Sequence, residues 1–460
     1  MAYIKMVPFL GCLSLSLHIW GQSGDAADNS LSLIKALSLA EKNYPFLKSK
    51  LYEAEAAGKN IALSKNTLVP SLDISYQANL ATGNNITGMF YPGEIIPMTG
   101  PVFASNNYNP GFGTATSLLL DWQPYTFGKR QAEINRSKAE LATRKADAEN
   151  EIFKHQLNVA SAYLDVLLET ELVKVDSENL ERTNFNLKQS RILAITGLRP
   201  GVDTALFLSE LSVARIQLLN TRKNLHSRLI SLSELLATDS SFTLTDTIFS
   251  SRIPAPDLKK QIPSAQHPLL KFSKSELDLS RSKENVLKKS WIPKLDIWGT
   301  GFARGSGIYP DGTIKAGDGW GFSKYNYGLG FQVAFPILKF SEMRLQQQQQ
   351  SLISKSNAEL VHQTTLQLSK QQAISEVNMQ TALEVAKETP VLLKSAEYAF
   401  RSLQKRYNAG LVNFADLIQA QYNLVKAETD LRKSYWEAWK ALLYKAAVTG
   451  DLNLFLNESR

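Results

Sequence analysis

The chain has 460 residues, of which 44% are hydrophobic and 20% are charged, and its formal net charge is +8. The hydrophobic content excludes a wholly disordered chain. Lysine and arginine are interspersed with aspartate and glutamate, and no zinc-finger or other nucleic-acid-binding motif accompanies them, so we expect no nucleic-acid partner.

The first residues have the layout of a secretory signal peptide. Lys5 precedes a short apolar run that ends at Trp20, and Gly21 begins a small and polar segment. We expect residues 1–21 to form the signal, with cleavage near Gly21. Cys12 is the only cysteine, so a chain cleaved there has no disulfide and no cysteine ligand for a metal. The Phe-Leu-Gly before Cys12 also resembles a lipoprotein cleavage site, which leaves lipidation as an alternative.

The first half of the remaining chain alternates helical and strand patterns. Residues 31–66 read as helix, with a new helix start at 43–45 and an end before Pro70. Alternating apolar and polar residues predict strands at 71–80 and 114–122. The segment between these strands is rich in Gly, Asn, Pro and Tyr and is predicted to be a long loop.

The longest predicted element is a helix over residues 127–195, which has no proline and, after Gly128, no glycine. Apolar residues recur in it at strict seven-residue spacing, the pattern of helices that pack side by side. These residues are Ile152, Val159, Val166, Val173, Leu180, Leu187 and Ala194. At ~1.5 Å per residue the helix is roughly 100 Å long, whereas an average globular helix has only ~11–12 residues. A turn at 197–201 and a second helix over 203–237 follow.

The second half of the chain repeats this layout. Pro45 recurs as Pro268, 223 residues later, and a second proline pair keeps the same offset. Further strands are predicted at 295–304 and 324–335, before another long helix. Such a sustained duplication predicts two structural repeats, at about 31–237 and 255–450.

Two β-hairpins, at about 71–122 and 294–335, have one apolar and one polar face. Strands of ~9–11 residues with this alternation match tilted strands that cross an outer membrane. Trp122, Tyr325 and Phe335 lie near strand ends, where interfacial aromatic girdles occur. Two half-buried hairpins on a soluble helical domain would give the same alternation, so the strands alone leave both interpretations open. No later stretch approaches ~18 consecutive apolar residues, so no transmembrane helix is expected.

The membrane interpretation has a consequence for assembly. Open sheet edges in hydrocarbon leave backbone groups unsatisfied, and four strands are too few to close a barrel. The barrel must therefore be shared between chains. Three chains supply twelve strands and leave room for a lumen, whereas eight strands from two chains would be filled by side chains. A homotrimer is expected.

Together these features resemble the TolC-like outer-membrane efflux factors over essentially the whole mature chain. The resemblance rests on the helix start before Pro45, the proline-flanked hairpins, the duplication and a turn motif. That motif reads Tyr407-Asn408-Ala409-Gly410-Leu411-Val412-Asn413-Phe414-Ala415-Asp416-Leu417. The implied fold is a mixed α/β membrane protein. A long α-helical coiled-coil barrel, the periplasmic tunnel, is continuous with a transmembrane β-barrel to which each of three chains gives four strands.

The resemblance also implies a function. Members of this family are passive exit ducts in the outer membrane of Gram-negative bacteria. A periplasmic adaptor (membrane fusion) protein and an inner-membrane pump of RND or ABC type recruit them. We therefore expect an outer-membrane channel that exports small molecules. Export of proteins by type I secretion uses the same fold and stays an alternative, as does a soluble periplasmic coiled-coil scaffold or adaptor from a different class.

In that family the helix–turn–helix tips close the periplasmic end of the tunnel. The resemblance therefore assigns gate and turn positions here. The gate residues are Asp203, Tyr407 and Asp416, and the aperture turns contain Gly197, Arg199 and Gly410. Asp203 and Tyr407 are expected to hold the closed state, and three copies of Asp416 to form a carboxylate ring that favours cations. For both aspartates, ordinary capping or dipole compensation at a helix start is the alternative.

Two positions depart from the family pattern at these tips. Gln419 stands where some relatives have a second acidic residue, and Val412 stands where a basic residue is common, although Arg199 occupies the equivalent place in the first repeat. These departures predict a less acidic and more weakly locked gate.

Motifs for catalysis and metal binding are absent from the sequence. Neither a Gly-rich phosphate loop nor a nucleophile motif is present. The histidines of the mature chain lack the paired spacing of a metal site; they are His155, His226, His267 and His362. We expect no enzyme activity, no cofactor and no metal, and the energy for transport must come from partners.

Overall fold

The computed structural model describes residues 30–84, 102, 104–238, 242–255 and 266–459. The predicted signal at 1–21, with Cys12, and most of the predicted loop between the first two strands lie outside these ranges. Within them the helices are α1 (Leu33–Asn43), α2 (Pro45–Asn66), α3 (Lys129–Ile195), α4 (Gly201–Leu236), α5 (Ile248–Ser251), α6 (Pro268–Lys288), α7 (Phe340–Asn408), α8 (Phe414–Thr449) and α9 (Asn453–Glu458). The strands are β1 (Ser30–Leu31), β2 (Ser71–Ala81), β3 (Gly111–Trp122), β4 (Thr243–Leu244), β5 (Lys294–Ser306) and β6 (Lys324–Ala334).

Four long helices form two helical hairpins, α3 with α4 and α7 with α8. Helices α3 and α7 have 67 and 69 residues, which corresponds to roughly 100 Å each. None of the seven heptad residues of α3 is exposed, so the predicted stripe is the packed face of this helix. The prolines that mark the duplication, Pro45 and Pro268, are the first residues of α2 and α6, where a missing backbone N–H costs nothing.

The largest apolar core lies partway along the long helices, between the four-stranded sheet and the turns that join α3 to α4 and α7 to α8. Trp439 is fully buried in it, against the ring of Phe249 at 4.8 Å, and its indole N–H donates to the carbonyl of Arg252 at 3.0 Å. Nearby, the Asp246 carboxylate accepts hydrogen bonds from the amide of Leu33 and the hydroxyl of another core residue, Tyr163, at 2.8 and 2.9 Å. These bonds fix the start of α1 against α3.

A short parallel pair of strands, β1 with β4, continues this attachment. The sequence pattern predicted neither strand, because two-residue strands leave no alternation to read.

The four longer strands form one antiparallel sheet in the order β2-β3-β5-β6. Its register puts most apolar residues of the four strands on one face and most polar residues on the other. Members of the apolar face are Leu72, Ile74, Leu118, Leu120, Ile297, Tyr327, Leu329 and Phe331. In the single chain most of this face is open, and Tyr327 is 95% exposed, while the loop 307–323 packs on its loop end. Contiguous apolar surfaces of this kind are usually covered by lipid or by another molecule.

Both β-hairpins continue into helices at the same end of the sheet, which places all the long helices on that side. Trp122, at the helical end of β3, fixes this junction by donating its indole N–H to the carbonyl of Leu68 at 2.8 Å. The described residues 82–84 and 104–110 and the loop 307–323 lie at the opposite end. No helix among the described residues is long and apolar enough to cross a membrane.

Candidate gate at the helical tips

Both helical hairpins turn at a glycine in the left-handed region. Gly197 has φ 72° and Gly410 has φ 81°. In each turn the amide after the glycine donates to the carbonyl five residues earlier at 2.9 Å, and the glycine amide donates to the carbonyl three residues earlier. This is the Schellman arrangement, which satisfies carbonyls at the helix end and favours glycine because other residues are strained there.

Replacing either turn glycine by alanine should destabilise the chain by about 1–2 kcal/mol, since a left-handed residue with a Cβ carries that conformational cost. Around both positions an added Cβ meets nothing within 4 Å, so the cost is purely conformational. Gly201 is the matched control: it lies at the same tip with equal space but ordinary helical geometry. Gly201→Ala should be neutral or stabilising. Circular dichroism melting in detergent measures all three, and equal melting temperatures for Gly410→Ala and Gly201→Ala contradict the argument.

The predicted gate residues Tyr407 and Asp203 are in direct contact. The Tyr407 hydroxyl, in the last turn of α7, donates to Asp203 Oδ2, in the first turn of α4, at 2.8 Å. Tyr407 is 1% exposed and Asp203 is 7% exposed. Phe207, one turn after Asp203, packs its ring edge-on to the tyrosine at 5.9 Å. The contact therefore joins the two helical hairpins of one chain inside a small apolar core.

Arg199 adds a second connection between the tips. Its Nη2 donates to the carbonyl of Tyr407 at 2.9 Å and also to the carbonyl of Val412. The guanidinium carbon lies 4.4 Å from the centre of the Tyr407 ring, a cation–π contact. Val412 occupies the equivalent position in the second repeat. The arginine of the turn between α3 and α4 therefore binds the turn between α7 and α8, which has no arginine at that position.

Burial raises the pKa of Tyr407 to about 12, and the hydrogen bond to Asp203 and the charge of that carboxylate act in the same direction. The neighbouring Ser190 and Arg199 oppose the shift without reversing it. Because the folded pKa lies above the ordinary value of ~10, the contact contributes fully below pH 10 and is lost as the pH rises through about 12.

The difference in open probability between wild type and Tyr407→Phe should therefore be constant from pH 6 to pH 9. Single-channel recording at several pH values measures this difference. A difference that disappears within that range would show that the phenol does not act as the protonated donor.

The third predicted gate residue, Asp416, is not part of this contact. It is exposed in the first turn of α8, and its backbone amide donates to the side chain of Asn413 at 2.8 Å. Within the described residues its carboxylate has no hydrogen bond or ion pair, and it lines a groove of about 610 Å³ between α7 and α8. The expected carboxylate ring involves three chains and stays a prediction. The described part of the chain contains no cluster of His, Cys, Asp and Glu that fits a metal ion.

Two further contacts between the hairpins were not predicted. The hydroxyl of Tyr422, on α8, donates to the carboxylate of Glu210, on α4, at 2.5 Å, one heptad after Asp203. This hydrogen bond is the main cause that raises the pKa of Tyr422 to about 12, and burial is the second cause. The guanidinium of Arg182 binds both carboxylate oxygens of Glu428 at 2.6 Å.

A buried polar layer lies between the hairpins beside the tip core. Gln421 is its centre: it accepts from Asn186 at 2.9 Å and donates to Thr183 and Asn179 at 2.6 and 3.0 Å. Gln404, one turn before Tyr407, donates to Asn186 at 2.9 Å. The sequence contains a signal for this layer, since residues 179, 183 and 186 have the i, i+4, i+7 spacing of one helix face.

Comparisons with known proteins agree with this architecture. Solved outer-membrane channels have the same fold at low sequence identity. VceC of Vibrio cholerae is 14% identical with a TM-score of 0.71, covering 91% of this chain and 96% of that one. CmeC of Campylobacter jejuni is 16% identical with a TM-score of 0.71, covering 91% and 85%. The open state of MtrE of Neisseria gonorrhoeae is 13% identical with a TM-score of 0.69, covering 91% and 89%. No curated protein sequence gave a significant match.

The fold is thus that of an outer-membrane channel with a helical tunnel, which confirms the predicted fold class. The sequence profile of the outer membrane efflux protein family matches residues 36–238 and 264–443. Since these ranges span most of the chain, the protein belongs to that family and lies in the outer membrane of a Gram-negative cell, with its helices on the periplasmic side. Membership of this family rules out the alternative that the chain is a soluble periplasmic scaffold or adaptor.

Proposed function

We propose that this chain is the exit duct of a tripartite efflux assembly. It works as a passive homotrimer that a periplasmic adaptor and an inner-membrane pump of RND or ABC type recruit. Small molecules leave through its lumen, and the energy for their transport comes from the pump. Its two repeats, at about 31–237 and 255–450, each contribute a β-hairpin and a helical hairpin to the wall.

The observation that carries this proposal is the continuity of one sheet with the long helices. The sheet has an apolar face on all four strands, and the long helices α3 and α7 follow β3 and β6 from the same end of the sheet at which α2 and α6 lead into β2 and β5. The outer strands β2 and β6 each have one edge with no strand partner among the described residues. Three copies pair these edges into twelve strands and satisfy the backbone groups that lipid cannot. The helices below then form a tunnel.

The tips of the helices, at the far end from the sheet, supply the gate of this duct. Tyr407, Asp203 and Arg199 tie the two hairpins of each chain together in the closed state. Opening requires one hairpin to move away from the other, which breaks the buried hydrogen bond of Tyr407. The groove beside Asp416 lies at the same tip and is accessible to an adaptor.

Two measurements on detergent-extracted protein test the proposal. Light scattering should give three times the mass of one chain, and the protein should conduct ions across planar bilayers without an energy source. Tyr407→Phe channels should open more often than wild type. A monomeric mass, or bilayers that stay silent with both wild type and Tyr407→Phe, would refute the duct.

A further inference from the structure

The polar face of the sheet carries its carboxylates at one end and a basic pair at the other. Its helical end holds Asp73, Asp121 and Asp296, together with Lys294 at the start of β5. At its loop end, Arg304 and Lys324 are direct cross-strand partners on β5 and β6. Eight residues of strand, or roughly 26 Å, separate Arg304 from Asp296. That distance exceeds the Debye length of ~8 Å, so the carboxylates do not neutralise the basic pair.

The basic pair at the loop end has no acidic partner among the described residues. Like charges directly opposite each other on neighbouring strands are destabilising. Both side chains are exposed, and within the described residues neither Arg304 nor Lys324 forms an ion pair. The Arg304 guanidinium instead lies 5.4 Å from the centre of the Phe302 ring, on the same face. Two cations and an aromatic ring are therefore presented together on the polar face.

A second aromatic side chain on this face is held flat against the sheet. A Cβ at Gly330 would lie 2.7 Å from Trp298 Cζ2, and one at Gly328 would lie 3.3 Å from Trp298 Cζ3. These two glycines thus provide the surface on which the indole rests, which explains their alternate positions in β6. Trp298 remains 37% exposed. It is the cross-strand partner of Asp121 and lies six residues of strand, or roughly 20 Å, from Arg304, so it presents a second ring farther along the face and not within the basic pair.

We propose that Phe302, Arg304 and Lys324 form a binding strip for aromatic organic anions. The strip rests on the proposed function, because the polar face lines the lumen only in the shared barrel. Each trimer then carries three strips close to its outer opening. An aromatic anion stacks on the Phe302 ring and pairs with Arg304 and Lys324, whereas a cation meets a barrier at the same level. The strip makes departing aromatic anions a preferred class of cargo.

The test is block of single-channel current by pyranine, an aromatic trisulfonate, added on the loop side of the trimer. Pyranine should block wild-type channels, and the Arg304→Gln/Lys324→Gln double variant should need at least tenfold more of it. Inorganic sulfate at equal ionic strength should not block. Removing both charges relieves a like-charge pair, so this variant is not expected to lose its fold.

Lys315→Gln is the matched control, since it removes one exposed charge from the loop at the same end of the sheet. That loop packs on the apolar face, where the hydroxyl of Thr114 donates to the carbonyl of Gly319 at 2.8 Å. Block should be unchanged in this variant. Equal pyranine block of wild type and double variant, or equal block by sulfate, overturns the strip while the channels still conduct. Loss of all conductance in wild type would instead overturn the duct itself.

Discussion

Replacing Tyr407 by phenylalanine is expected to shift the duct strongly toward its open state. The change leaves the buried Asp203 carboxylate without the hydroxyl that lies 2.8 Å away in the closed tip. An unsatisfied buried acceptor costs about 1–3 kcal/mol, which corresponds to roughly 5- to 150-fold in an equilibrium. Three such contacts break together if the trimer opens in one step, so the effect per channel is larger than the effect per chain.

Two control variants separate the gate contact from a general effect of the substitution. Tyr398 is on the same helix, is 76% exposed and has no hydrogen bond among the described residues, so Tyr398→Phe should leave the open probability unchanged. Asp203→Asn keeps an oxygen that accepts from Tyr407 and should have a smaller effect than Tyr407→Phe. Single-channel recording distinguishes these results. If Tyr407→Phe and Tyr398→Phe behave alike, the buried contact does not hold the closed state.

The regular parts of this fold could be predicted because they depend on local patterns. Strict heptad spacing identified α3 and its packed face, and alternation identified the four strands to within about three residues. The observed strand β3 starts at Gly111 rather than residue 114, because glycines at its loop end carry no apolar signal. The turn glycines were predictable for the same reason: only a few residues tolerate a left-handed helix end.

Contacts between the two helical hairpins, α3–α4 and α7–α8, could not be predicted from residue patterns. Arg199 reaches carbonyls more than 200 residues away, and Tyr422 reaches Glu210 across a comparable separation. Such pairs depend on how the two helical hairpins pack against each other, and a short repeat pattern in the sequence does not specify that packing. Tyr407 and Asp203 were placed only through a family resemblance, and the same reasoning assigned Arg199 to a turn without finding its partners. The contact of Trp298 with Gly328 and Gly330 could not be predicted either, because it depends on the register of β5 against β6.

Arg199 is expected to be the second large determinant of the closed tip. Hydrogen bonds from a charged donor contribute about 1.5–3 kcal/mol, and this guanidinium makes two of them, to the carbonyls of Tyr407 and Val412. Arg199→Gln should therefore raise the open probability by roughly tenfold or more. Arg401→Gln is the matched control, because Arg401 is exposed on the same rod as Tyr407 and its ion pair with Glu397 is long, at 4.0 Å. Surface pairs of this kind contribute little.

The lysine variant decides what Arg199 contributes. A lysine keeps the positive charge but has neither the planar fork that reaches two carbonyls nor the flat cation that stacks on the Tyr407 ring. If geometry holds the turns together, Arg199→Lys channels should open nearly as often as Arg199→Gln channels. If Arg199→Lys matches wild type instead, a positive charge at the tip is sufficient. The arginine of the first turn would then act on the potential of the pore and not as a clamp between the two tips.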